Sequence, residues 1–269
     1  MPTTFAIAAG YVFTPLPTEQ LPTLQAELQA FGVAHGLRGL VLLATEGVNA
    51  TVCGPADGVA AWQALVRQRF SADVSFRESQ ADSLVFRRWS VKVKPEIVGL
   101  KRRDVQPRGR HRHLTPTEWQ AALSARDDRT VVIDARNDFE VAIGKFQGAL
   151  DPGTRRFSDF PAAVERLGVR PDQRVLLYCT GGIRCEKALL ALEERGYRDV
   201  WQLEGGILGY LEQFPHQSFE GECFVFDHRV AVDQQLQPSQ RYELCDACGD
   251  PVAHGVTCQH PALPAQTAV

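Results

Sequence analysis

The residues best suited to chemistry lie between Tyr178 and Cys185, in the run Tyr-Cys-Thr-Gly-Gly-Ile-Arg-Cys. Cys179 stands where an apolar run, Val175 to Tyr178, gives way to two glycines and then to a helical pattern from Cys185 to Glu194. Gly181 and Gly182 let backbone N–H groups converge on one point, and a helix start adds partial positive charge there. Arg184 contributes a full charge. Such surroundings favour thiolate over thiol, so Cys179 is expected to be a nucleophile with Arg184 as its catalytic partner. Thr180, Gly181, Gly182 and Ile183 form the cradle between them. A cysteine buried only for its size would leave both glycines and Arg184 without a purpose.

The run resembles the rhodanese active-site loop, Cys-x-x-Gly-x-Arg, with Cys179, Gly182 and Arg184 in its three marked places. The cysteine phosphatase loop is the nearest rival, but it holds five residues between Cys and Arg. Here only Thr180 to Ile183 intervene, and no His precedes Cys179. The shorter ring suits a sulfur atom carried on the thiolate better than a phosphate. Cys185, at the helix start, is either a resolving thiol or a small residue packing the first turn.

A buried strand and a helix must position this loop, and the flanking sequence supplies more of both. Strands are expected at Thr130–Asp134, Arg174–Tyr178 and Asp199–Leu203. They alternate with helical segments, one opened by the capping box Thr115-Pro116-Thr117-Glu118 and another at Phe157–Leu167. That alternation predicts a parallel α/β sheet with the reactive loop at the carboxyl ends of its strands. Asp134, Arg136 and Glu140 read as an ion-pair network holding two loops. Upstream, strands at Phe5–Phe13, Arg38–Ala44, Asn49–Cys53, Val74–Arg77 and Val91–Val98 surround two helices. The helices are Glu19–Ala34, capped by Thr18, and Asp57–Phe70. The order βαββαβ is the ferredoxin-like plan. The fold class is therefore α/β: a ferredoxin-like sandwich over 1–98, a basic linker over 99–113, a rhodanese-like parallel domain over 114–220, and a Cys-rich extension over 221–269.

The net charge of −3 conceals a segregation. Between Arg87 and His113 stand ten Lys or Arg against Glu96 and Asp104, a stretch of +8 that leaves −11 elsewhere. A basic strip on an acidic protein is either a footprint for nucleic-acid backbone or a solvated linker. On the first reading Lys101, Arg102, Arg103, Arg108, Arg110 and Arg112 meet phosphate, joined by Arg155 and Arg156 from a loop of the second domain. At 269 residues the chain has room for two domains and a tail. No run of about eighteen apolar residues is present, so no membrane partner is expected. The N-terminus lacks the basic flank and apolar core of a secretory signal. Seven cysteines, one of them reactive, fit the reducing cytoplasm better than a disulfide framework.

In the tail, Cys245 and Cys248 make a Cys-x-x-Cys pair, with Cys258 and His260 downstream. Soft, closely spaced ligands suggest structural zinc, although Pro261 stands where a second such pair would end. No flavin, haem or nucleotide motif is visible.

The resemblance extends beyond one module. Glu46 to Val52, Asp134 to Glu140, Cys179 to Lys187 and Gly221 to Val232 occur in the order, and with the residues, of the rhodanese-type tRNA uridine hydroxylase family. That resemblance covers nearly the whole chain, and its last two motifs are the specific ones. It implies 5-hydroxylation of the wobble uridine in the anticodon stem-loop of tRNA, with molecular oxygen as co-substrate and the loop cysteine essential. Neither DNA nor a membrane is an implied partner. The competing expectation is a sulfurtransferase that holds sulfur as a Cys179 persulfide.

Overall fold

The computed structural model describes residues 4–256. Cys258 and His260 lie outside the described residues. The N-terminal domain contains β1 (Phe5–Phe13), α1 (Leu21–Ala34), β2 (Arg38–Ala44), β3 (Gly47–Gly54), α2 (Ala56–Arg69), β4 (Phe76–Ala81) and β5 (Trp89–Val93). Its sheet runs β4-β1-β3-β2-β5. The first four strands have the ferredoxin-like order, and β5 adds a fifth, parallel to β2. Helices α1 and α2 cover one face. Leu28, Val59, Trp62 and Trp89 pack there against Val41, Leu43 and Val52. Thr18 does not cap α1: residues 18–20 form a tight 3-10 turn whose Thr18 carbonyl accepts from the Leu21 N–H. Pro22, already fixed near helical φ, starts the helix instead.

The second domain contains β6 (His113–Leu114), α3 (Pro116–Ser124), β7 (Thr130–Asp134), α4 (Asp138–Val141), β8 (Gly144–Phe146), α5 (Phe160–Arg166), β9 (Arg174–Tyr178), α6 (Ile183–Glu193), β10 (Asp199–Leu203) and α7 (Gly206–Leu211). The sheet β6-β10-β9-β7 is parallel throughout. Leu150 adds one parallel bridge to Ile133. Alternation along β9 builds the two cores: Val175 and Leu177 face α5 and α6, while Leu176 and Tyr178 face Trp119, Phe146 and Tyr210. The capping box at Thr115 forms as the sequence indicates. The helix expected from Phe157 is shorter, because a 3-10 turn fills 157–159 and Pro161 occupies the first turn of α5.

Residues 99–113 join the domains, and the stretch is not wholly solvated. Leu100 and Val105 are buried in the core beside α6. The extension continues as β11 (Phe219–Gly221), β12 (Cys223–Phe224), β13 (Ala231–Val232), β14 (Tyr242–Leu244) and β15 (Pro251–Ala253). β11 pairs with β8, which ties the extension to the second domain. No helix among the described residues is long and apolar enough to cross a membrane.

Candidate active site

β9 ends at Tyr178 and delivers Cys179 to the turn that starts α6. Gly182 adopts φ +100, a conformation L side chains rarely take, and a Cβ there would sit 2.9 Å from the Tyr11 hydroxyl. That geometry turns the Gly182 N–H back onto Cys179 Sγ at 3.1 Å. Burial alone pushes the Cys179 thiol up. The Cys185 thiol, the Arg184 charge and the backbone N–H groups of Cys185 and Arg184 outweigh it and pull the value down to about 6. Cys185 pays the opposite way: burial and the neighbouring Cys179 charge push its thiol well up. The pair is thus a thiolate and the thiol that donates to it.

Arg184 does not point freely into the site. Its guanidinium clasps Glu140, Nη1 to Oε1 at 2.5 Å and Nη2 to Oε2 at 2.7 Å, with both side chains buried. Glu140 sits on α4, and its Oε1 also accepts from the Asn137 N–H at 3.1 Å. The expected network of Asp134, Arg136 and Glu140 is therefore two devices. Asp134 and Arg136 pair with each other, and Arg136 also donates to the Gly144 carbonyl, bracing β7 against β8. Glu140 instead holds Arg184. Thr180 hydroxyl lies 3.5 Å from both Glu140 Oε2 and the Phe224 carbonyl.

The N-terminal domain completes the site. Tyr11 donates to Glu186 Oε1 at 3.0 Å, and the same oxygen lies 3.0 Å from His113 Nε2. Gln202 donates to the other Glu186 oxygen at 3.1 Å. Burial, then the Glu186 charge, raises the Tyr11 phenol well above its ordinary value, so it is a donor. Deeper in α6, Lys187 is fully buried and bridges Glu46 at 2.7 Å and Glu96 at 2.8 Å. The Glu46 motif therefore serves docking between the domains. Between them lies a cavity of about 1460 Å³ with Cys179, Thr180, Gly181, Ile183 and Arg184 on one side and Tyr11, Phe13 and Phe86 on the other. Neither Tyr11 nor His113 is expected from the sequence as a site residue; Glu186 and Phe226, also on the wall, fall inside the Cys179–Lys187 and Gly221–Val232 motifs.

Of the eight basic residues expected to meet phosphate, Lys101, Arg103 and Arg110 line this cavity. Arg110 also pairs with Glu204 at 2.8 Å. Arg102 is held by Asp104 and Glu194, Arg112 by Glu193, and Arg155 by Asp250 and Asp138. Arg108 and Arg156 are exposed away from the cavity lining. Cys245 and Cys248 flank the turn between β14 and β15, where the Cys245 carbonyl accepts from the Gly249 N–H and its own N–H donates to Asp250 O. Among the described residues no three His, Cys, Asp or Glu side chains cluster as a metal site.

The thiolate loop at the carboxyl end of a parallel sheet, behind an antiparallel sandwich, defines a two-domain protein with a rhodanese-type centre. Sequence comparison agrees: residues 5–97 match the UPF0176 acylphosphatase like domain and residues 115–213 the Rhodanese-like domain. A relative from Bdellovibrio bacteriovorus, named tRNA uridine(34) hydroxylase, is 43% identical over 95% of this chain and 73% of its own length. Relatives of the same name from Rhizobium etli (42% identical, 95% of this chain, 86% of theirs) and Synechococcus elongatus (47%, 87% of each) match as broadly. The chain belongs to the tRNA uridine(34) hydroxylase family.

The depressed thiol has a direct readout. Iodoacetamide labelling of Cys179 should rise with pH through a midpoint near 6 and level off above it. Removing the donor in Cys185→Ala, or the charge in Arg184→Ala, should move that midpoint upward, while Cys185→Ser, which keeps a donor, should move it less. Midpoints unchanged in both alanine variants would leave the Gly182 and neighbouring N–H groups as the whole cause. The sign for stability follows: a depressed folded-state value favours the fold fully above the unfolded thiol's pKa of about 8.5, and this contribution is lost as pH falls through about 6.

Proposed function

We propose that this protein hydroxylates uridine 34 of tRNA at C5, with molecular oxygen as co-substrate and Cys179 as nucleophile. The observation that carries this reading is a thiolate on the wall of a large cavity with cationic side chains around it, in a chain of this family. Uracil C5 reacts poorly with oxygen until the ring is activated. Addition of the Cys179 thiolate at C6 places negative charge across C5 and O4, which makes C5 electron-rich. Once oxygen has added there, a two-electron reductant must carry the second oxygen atom to water, and loss of the C5 proton with expulsion of Cys179 from C6 restores the ring. Loop N–H groups lie beside that developing anion, while Arg184, neutralised by Glu140, acts by positioning the loop and holding Cys179 as thiolate. Lys101, Arg103 and Arg110 suit the backbone of the anticodon loop on its way to Cys179. The reaction belongs with tRNA in the cytoplasm.

A sulfurtransferase has use for the same thiolate, but a thiosulfate-sized anion needs neither a cavity of about 1460 Å³ nor a second domain. In the tail, Cys245 and Cys248 on one turn fit half of a tetrahedral zinc site, and Cys258 and His260 supply the donor types for the other half. Such a zinc holds the extension together and takes no part at Cys179. The test is incubation with unmodified tRNA under ¹⁸O-labelled oxygen, followed by digestion and nucleoside mass spectrometry. One labelled oxygen on the wobble uridine is expected. Unlabelled uridine throughout, with thiosulfate turnover at Cys179, would transfer the assignment to sulfur chemistry.

A further inference from the structure

The loop between β12 and β13, residues 225–230, lies at the cavity and has no part in the chemistry described above. It carries Phe226, a residue 61% exposed that lines the same cavity as Cys179 and Arg184. An exposed phenyl ring is unremarkable on a slack loop. This loop is bolted on every side. Val225 N–H donates to Val230 O, and His228 N–H donates to Val85 O in the N-terminal domain. Arg229 clasps Asp227 through Nε at 2.8 Å and Nη2 at 2.6 Å, and reaches Ser79 Oγ at 3.2 Å. Val230 is held at φ +61, a costly conformation for a β-branched residue.

The ring itself is fixed from below. It meets buried Phe224 edge to face at 4.9 Å between centroids, and the Arg184 guanidinium lies 5.6 Å from its centroid. Phe224 in turn packs edge to face on Phe139 of α4. Strain in the backbone and an apolar face left in water both work against folding, and both occur at one place beside the thiolate. A planar apolar ligand that covers the ring removes the second cost on binding.

We propose that Phe226 is a stacking platform for an unpaired nucleobase, holding the base that enters the cavity, or its neighbour in the strand, against the wall that carries Cys179. The inference rests on the reading of a single-stranded RNA loop as the substrate. Three features favour a nucleobase over another flat ligand: the cations Lys101, Arg103 and Arg110 on the same cavity, its size beyond a single small molecule, and a thiolate with the reactivity to attack a pyrimidine ring. Bases in single-stranded RNA are held by stacking on aromatic side chains, and that contact tolerates any base because each has a π face. Phe226 is a positioning residue: it forms no bond to the reacting atoms.

Stacking and phosphate contacts leave different marks in salt. Losing a stacked base lowers affinity by the same factor at every salt concentration, whereas losing a cation flattens the log–log slope. The probe is a fluorescein-labelled oligouridylate, titrated by anisotropy over a salt series against the full chain, with tRNA hydroxylation by wild type run alongside. Phe226→Ala should weaken binding about tenfold at each salt concentration, with the slope unchanged. Phe226→Leu should do the same, and Phe226→Trp should restore wild-type affinity. Iodoacetamide profiles of Cys179 should coincide in all four proteins. Affinity unaffected by Phe226→Ala overturns the proposal, as does a change in slope, or a shifted thiol profile showing that the ring acts only through Arg184. Failure of wild type to hydroxylate tRNA, with Phe226-dependent oligouridylate binding intact, would remove the hydroxylase reading and leave the platform standing.

Discussion

Cys179→Ser should abolish tRNA hydroxylation, a loss of roughly 10⁴- to 10⁶-fold in kcat, while tRNA affinity stays near wild type. The reasoning starts from acidity. The loop holds the Cys179 thiol at about 6 against the opposing effect of burial. The same donors and the same Arg184 charge acting on a serine hydroxyl leave it protonated at any physiological pH, so no nucleophile forms. The structural cost is small. Serine is no larger than cysteine, the site is buried, and the Gly182 N–H that donates to Sγ at 3.1 Å has an oxygen to donate to. Loss of activity with a cooperative melting transition and unchanged tRNA binding is the expected outcome, the serine variant losing only the pH-dependent contribution of the thiolate to stability. Measurable turnover by the serine variant, above a contamination level set with Cys179→Ala, would show that the thiolate is not the nucleophile. It would return the loop to a purely binding role.

What the sequence revealed and what it hid divide along the range of the interactions. The loop was legible because its parts are contiguous: the unbroken apolar run Val175–Tyr178 specifies a strand buried on both faces, and Gly182 specifies the turn. Thr115 was legible for the same reason, since its cap closes over three residues. Thr18, with the same residue type at a helix start, was misread because Pro17 and Pro22 around it favour a 3-10 turn before α1. The contiguous loop points to Arg184 but not to its partner. Glu140 lies 44 positions away, and nothing in either segment encodes the meeting. Tyr11 is more remote still, 175 positions from Glu186, and reads in β1 as one more aromatic strand residue. The stretch 99–113 lacked an apolar period, yet two residues, Leu100 and Val105, suffice to pin it to the core. Isolated anchors of that kind carry no periodic signal.

Lys187→Ala should cost about 3–5 kcal/mol of stability, as breaking a buried ion pair by removing one partner does. Its ammonium is wholly buried on α6 and faces Glu46 at 2.7 Å and Glu96 at 2.8 Å, each side chain only 6% exposed. Glu46 also accepts from the Ile97 N–H at 2.7 Å, and Glu96 from the Lys101 N–H at 2.7 Å and the Arg102 N–H at 3.2 Å. These bonds fix both carboxylates in place, so neither can swing out to water once the lysine is gone. The loss comes from two stranded charges; the bridge itself contributes little net stability, because burying an ammonium and two carboxylates costs nearly what their attraction returns. That distinction is testable in one series. Lys187→Ala should lower the urea midpoint sharply. Lys187→Met combined with Glu46→Gln and Glu96→Gln should recover part of it, since no charge is left unpaired and each amide oxygen still accepts from one N–H group. The amide nitrogen at position 96 leaves one of the Lys101 and Arg102 N–H groups without its acceptor. Because the bridge spans the two walls of the cavity, the alanine variant should also lose hydroxylation more steeply with urea than it loses the secondary structure of either domain. A midpoint within about 1 kcal/mol of wild type in Lys187→Ala would show that water reaches both carboxylates, and that other contacts between the domains, those of Tyr11, Arg77, His228 and Arg229 among them, carry the docking.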